Sequence, residues 1–165
     1  MLTLSDKLSV IDIRRNKGDE NMIKELNLTM QSEGCKLSAY LDSEGIPTIG
    51  WGSIWIDGRR VKLGDSITQE KANSMLEDYF LKEVKPTLDK LPSYITDNQK
   101  EALTSLIYNW NSSGFLKSKL YQAIIKKDKA EIIRQWDYGF KNDENGLYIR
   151  RIKELALFVP DFVKW

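Results

Sequence analysis

The sequence predicts a mostly helical α+β fold in which a small antiparallel β-sheet lobe and a helical lobe flank a cleft. Three observations lead to this. One helical stretch precedes a short run of glycine-punctuated extended segments, and every later segment carries helical periodicity. The chain has 165 residues and is 41% hydrophobic, enough to bury a core and too short for two ordinary domains. The order of one helix, a sheet and then many helices places a cleft between two lobes of unequal kind.

The elements follow in order. Residues 1–18 have mixed polarity and end in the turn signal Asn16-Lys17-Gly18-Asp19, so they read as an N-terminal extension ahead of a main domain over 19–165. From Asn21, Met22, Ile23, Leu26 and Met30 recur at helical spacing, and Gly34 follows, which sets Glu33 at a helix end. Leu37–Leu41, the turn Asp42-Ser43-Glu44-Gly45 and Pro47–Trp51 read as a hairpin, and Asp57-Gly58 marks a second tight turn between Ile54–Ile56 and Val61. Thr68 is the expected N-cap of a long helix carried by Ala72, Met75, Leu76, Tyr79, Phe80 and Val84 and stopped by Pro86. Thr96-Asp97-Asn98-Gln99 is a capping-box pattern opening a helix through Leu103, Leu106, Ile107 and Trp110, expected to be the most buried. Helical segments over 118–126, 129–138 and 149–158 complete the chain, the last ending before Pro160.

Composition removes several classes of function. Lys+Arg 25 against Asp+Glu 24 gives a net charge of +1, so no basic field marks a nucleic-acid binder. With no histidine and Cys35 as the sole cysteine, there is no disulfide framework, no plausible zinc site, and no Cys-His or Ser-His-Asp machinery. Cys35 reads as a small buried thiol, since no base or cation is evidently fixed beside it. Asp6 and Asp12 sit near the N-terminus with Arg14, Arg15 and Lys17 after the apolar residues, the reverse of a secretory signal, and no stretch approaches a membrane span.

The residues that carry chemistry are Glu33-Gly34, Ala39-Tyr40-Leu41-Asp42 and Gly45-Ile46-Pro47-Thr48-Ile49-Gly50-Trp51-Gly52. They set a second carboxylate nine residues, and a hydroxyl fifteen residues, beyond Glu33. Glycoside hydrolysis needs one carboxyl that holds a proton for the leaving oxygen and another that stays ionised. A carboxyl at a helix end among apolar neighbours such as Tyr40 and Trp110 suits the first task, and one in a wet turn suits the second. Glu33 is therefore the expected general acid and Asp42 the base.

This layout resembles the signature of the phage-type lysozymes, the muramidases of glycoside hydrolase family 24. The similarity runs over about residues 20–160, through Gly64–Thr68, Asn98–Asn109, Gly114-Phe115 and Gly146-Leu147 with Arg150-Arg151 and Glu154. It implies a lysozyme-like fold and a water-positioning role for Thr48, with inversion at the anomeric carbon as the usual outcome. It also implies an arginine, Arg150 or Arg151, paired with the catalytic Glu. Glu44 matches a cleft-lining position, and Gly52 allows close backbone approach to a sugar ring. Tyr108 and Trp110, with Trp51, Trp55, Trp136 and Tyr138, are aromatic surfaces of which at most two are expected to touch glycan.

Two departures from the family pattern stand out. The position after the second glycine, usually His, is Ser53, and the buried charge partner that this His would form is absent. The central helix, which often ends Asn-x-Gly, reads Asn109-Trp110-Asn111. The resemblance implies a monomeric endolysin acting on bacterial peptidoglycan without metal or cofactor, synthesised in the cytoplasm and acting on the wall after release by a partner such as a holin. The rival readings are a lytic transglycosylase, which needs no water-activating Asp, and a non-catalytic wall-binding protein that keeps the fold.

Overall fold

The computed structural model describes residues 17–138 and 147–165. Residues 1–16 of the expected extension, Gly146 and the side chain of Tyr138 lie outside the described residues. Helix α1, Lys17–Glu33, already includes three of the four residues of the Asn16–Asp19 turn signal. A local turn preference is a weak prior, and it yields here to helix propagation from a segment anchored by Leu26 in the core. Gly34, at φ +65°, ends the helix, and its N–H returns to Met30 O at 3.2 Å.

The extended region forms two two-stranded antiparallel sheets where the sequence suggested one. Strand β1, Lys36–Leu41, pairs with β2, Pro47–Gly50, with Tyr40 opposite Thr48. Strand β3, Trp55–Ile56, pairs with β4, Arg59–Arg60, through Asp57 (φ 47°) and Gly58 (φ 78°), the two left-handed residues that a type I′ hairpin requires. Single bridges, Ser38 to Ser66 and Ile49 to Ser53, stitch the region together. Ile49, Ile56 and Val61 form its small core, with Ala39, Ile67 and Met75 against them.

Helix α2, Gln69–Tyr79, is capped by Thr68, whose hydroxyl accepts from Lys71 N at 3.2 Å. Its neighbouring residues Met75 and Leu76 serve different lobes, the first packing on the small core and the second lying in the large one. Pro86 does not stop this rod. A π-helical turn over Phe80–Val84 widens it so that Lys85 N–H reaches Phe80 O, and Pro86 falls in the first turn of α3, Lys85–Leu88, where a missing N–H costs little.

Helix α4, Asp97–Trp110, opens with the complete capping box, Thr96 Oγ1 accepting from Gln99 N and Gln99 Oε1 from Thr96 N. Residues 102–107 are all fully buried, so α4 is the axis of the helical lobe. A short helix α5, Ser112–Lys117, follows α4 directly. Helices α6, Lys119–Ile125, α7, Lys129–Tyr138, and α8, Leu147–Phe158, then pack around α4, and a 3₁₀ turn, Val159–Lys164, follows Phe158. Helices α1 and α8 both lie along α4, which brings the end of the first helix to the start of the last.

Candidate active site

Glu33 projects from the C-terminal end of α1 toward the loop after β2. Gly52, at φ +100°, comes so close that a Cβ built on it would lie 3.1 Å from Glu33 Oε2. The left-handed φ favours glycine there, and any Cβ would also press on the Glu33 carboxyl. On the other side Arg150 Nη1 donates to Glu33 Oε1 at 2.5 Å across a sequence separation of 117 residues. The arginine side chain is only 8% exposed, against 23% for the glutamate. Of the two arginines left open by the sequence, Arg150 makes this contact and Arg151 turns inward to Glu154. The remaining bonds of Arg150 are to Ser105 Oγ (3.0 Å), Ser105 O (2.8 Å) and Glu154 Oε1 (3.3 Å).

Asp42 sits in the turn after β1. Its Oδ1 accepts from Glu44 N (2.9 Å) and Ile46 N (2.8 Å), the geometry of an Asx turn, and its own N–H donates to Ile46 O. Thr48 is buried on β2 and its hydroxyl donates to the same Ile46 O at 3.0 Å. One residue, Ile46, thus orients both side chains, its N–H holding the aspartate carboxylate and its carbonyl the threonine hydroxyl. Glu44 is exposed on the turn. Tyr40 feels both acids: burial pushes its phenol up, and the negative charges of Glu33 and Asp42 push it further.

Beside Gly52 lies a pocket of about 340 Å³ lined by Trp51, Ser53, Trp55, Met75, Tyr79 and Tyr108 among others. Tyr108 OH donates to Trp51 O at 2.9 Å, holding the loop against α4, and its ring meets Tyr79 edge-on at 4.9 Å. Burial, then the charge of Glu33, raises the Tyr108 phenol far above its usual range, so it stays a proton donor. Trp110 is not among the lining residues. It packs against the large core with its ring 5.9 Å from the Arg151 guanidinium. Trp136 is likewise a core residue, whereas Trp55 is half exposed at the pocket rim with Arg60 stacked over it at 4.6 Å.

Ser53 closes the strand end differently from a buried charge pair. Its hydroxyl donates to Trp55 O (2.7 Å) and accepts from Trp55 N (3.2 Å), while its backbone pairs both ways with Ile49. Burial raises the Cys35 thiol, which accepts from Gln69 Nε2 at 3.5 Å, so it has little thiolate character. Among the described residues no group of three or more His, Cys, Asp or Glu side chains could hold a metal ion. Sequence reasoning missed Ser105 and Tyr79. Ser105 carries no signal of its own, and Tyr79 was read only as a helix-face apolar residue.

Fold and site together define a two-lobed, lysozyme-like α+β protein. Residues 30–154 match the phage lysozyme family. The chain is 36% identical over 135 residues to the endolysin of Salmonella phage P22, spanning 78% of this chain and 90% of that protein. It is 30% identical over 143 residues to the endolysin of Acyrthosiphon pisum secondary endosymbiont phage 1, spanning 82% and 94%. Among solved structures, the endolysin from Escherichia coli O157:H7 phage FAHEc1 superposes with a TM-score of 0.69 at 31% identity, covering 90% of this chain and 94% of that one. The chain belongs to the phage lysozyme family and is a lysozyme-type glycoside hydrolase.

Proposed function

We propose that this protein is an endolysin that hydrolyses the β-1,4 bond between N-acetylmuramic acid and N-acetylglucosamine in peptidoglycan, with Glu33 as general acid, Asp42 as base and Thr48 as water-positioning residue. The observation that carries the reading is Glu33 itself: a half-buried carboxyl pinned between Gly52 and Arg150 beside a pocket with aromatic walls. Glu33 gives its proton to the glycosidic oxygen as the bond to the anomeric carbon breaks. Water attacks that carbon, and Asp42 takes the water's proton. With Oδ1 occupied by two backbone N–H groups, Oδ2 is the oxygen assigned to the water. The Thr48 hydroxyl, its proton committed to Ile46 O, offers lone pairs to the same water. Tyr108 and Trp55 supply apolar ring faces for sugar, and Glu44 on the turn supplies an acceptor for sugar hydroxyl or acetamido groups.

The test is turbidity clearance of peptidoglycan with identification of products. Glu33→Gln is expected to lower the rate by roughly 10²–10⁴-fold with the fold intact, because the amide keeps the shape and cannot donate the acid proton. The intact enzyme is expected to release free reducing ends, first as the α-anomer, the outcome for carboxyls roughly 6.5–9.5 Å apart with water between them. A 1,6-anhydro product would overturn hydrolysis in favour of transglycosylation, and a β-anomer would overturn inversion.

A further inference from the structure

We propose that Glu154 is a positioning residue for this reaction: it fixes the rotation of the Arg150 guanidinium and cancels part of the positive charge that Glu33 faces. This rests on the reading of Glu33 as the acid. Glu154 is fully buried on α8, and four donors fill its two oxygens. Oε1 accepts from Ser105 Oγ (2.7 Å) and Arg150 Nε (3.3 Å), and Oε2 from Arg151 Nη1 (2.5 Å) and Trp136 Nε1 (3.3 Å). The Ser105 hydroxyl accepts from Arg150 Nε, so its proton goes to Glu154. With four donors around it and no acceptor in the set, the carboxylate is the form that fits. Burial raises this carboxyl above its ordinary range, and Arg151, the Ser105 hydroxyl and Arg150 oppose part of that rise.

The arrangement leaves Arg150 no freedom to rotate. Nε is tied to Ser105 and Glu154 and Nη2 to Ser105 O, so Nη1 can only point at Glu33. It also sets the local charge. Glu33 faces Arg150 and, further off, Arg151 from α8, Tyr108 from α4, and Tyr40 from β1, on which Asp42 also acts. Both phenols are held neutral near neutral pH by burial and by the carboxylates. Two guanidiniums unopposed would favour ionised Glu33, the form that cannot act as acid, and the charge of Glu154 reduces that pull.

The experiment measures kcat and KM against pH on soluble peptidoglycan fragments at constant ionic strength for the intact protein, Glu154→Gln, Arg151→Gln and Glu33→Gln, each checked for fold by circular dichroism. Glu154→Gln is expected to lower kcat about tenfold or more with KM within about twofold, and to move the alkaline fall of activity to lower pH. Arg151→Gln, which removes a charge of the opposite sign, is expected to move it to higher pH. A purely structural role would not give shifts of opposite sign. If Glu154→Gln leaves the alkaline limb in place, or both variants move it in the same direction, the proposal fails. Should Glu154→Gln not fold, Ser105→Ala keeps both charges and removes the hydroxyl between them. That variant is expected to lose kcat several-fold, and unchanged kcat overturns the proposal. Full activity in folded Glu33→Gln would instead overturn the acid assignment itself, whereas inert Glu33→Gln with an unmoved Glu154→Gln profile overturns only the role of Glu154.

Discussion

Asn111 joins α4 to α5 with φ 67° and ψ 157°, a backbone region almost confined to glycine. Its side chain offsets part of the strain, since Oδ1 accepts from Gly114 N at 2.9 Å and caps α5. Strain of about 1–3 kcal/mol is set against a cap that glycine replaces at a loss of a few tenths. Glycine's greater entropy in the unfolded chain takes back a further 0.5–1 kcal/mol or so. Asn111→Gly is therefore expected to stabilise by up to roughly 1 kcal/mol, and Asn111→Ala, which keeps the strain and loses the cap, to destabilise by about 1 kcal/mol or more. Thermal unfolding of the three proteins checks this: a glycine variant no more stable than the parent would show that the junction is not strained, and an alanine variant as stable as the parent that the cap contributes nothing. At this scale the sequence is uneven as a guide. Glu33 is legible because the periodicity of α1 ends at Gly34, and Asp42 because the turn that holds it is written in Gly45 and Pro47. Arg150 and Arg151 are indistinguishable, because adjacent helical residues point about 100° apart. Which one meets Glu33 depends on how α8 is rotated against α4, a tertiary fact.

Elements whose signals are local were legible for the same reason: the capping box of α4, the N-cap Thr68 and the Asp57-Gly58 hairpin all act within a few residues. Pro86 misled because the π-helical turn that accommodates it answers to packing of Phe80 and Val84 in the core and not to a local preference. The start of α4 is also held from a distance. Thr96 Oγ1 donates to Asp161 Oδ2 at 2.5 Å, Gln99 Nε2 donates to Phe158 O, and Trp165 Nε1 donates to Gln99 Oε1. The ion pair with Lys164, then the Thr96 hydroxyl, hold the Asp161 carboxyl below its ordinary range. A carboxyl whose folded value is depressed contributes stability that is present above the unfolded value, near 3.9, and lost as pH falls through the folded one. Urea unfolding of Asp161→Asn should thus differ most from the parent above about pH 5 and converge on it in stronger acid. A gap that persists unchanged to pH 2 would show that the carboxylate charge is not what ties the two segments.

At the scale of the molecule the two cores are of very different size, the helical one built on α4 and the sheet one on Ile49, Ile56 and Val61. Leu106→Ala, in the fully buried face of α4, is expected to cost about 2–5 kcal/mol. Ile49→Ala should cost a similar amount per atom removed, and the informative comparison is between probes. Because α2 sends Met75 into one core and Leu76 into the other, near-ultraviolet and far-ultraviolet signals should lose structure together in both variants. Separate transitions in Ile49→Ala would show that the sheet lobe melts on its own. The contact between Glu33 and Arg150 has a further meaning for a chain made from its N-terminus. With 117 residues between the partners, translation at about 5–20 residues per second separates their appearance by roughly 6–23 s. Throughout that interval the nascent polypeptide carries Glu33 without its arginine partner. Elongation therefore acts as a timer, and this ion pair cannot close until translation has passed Arg150.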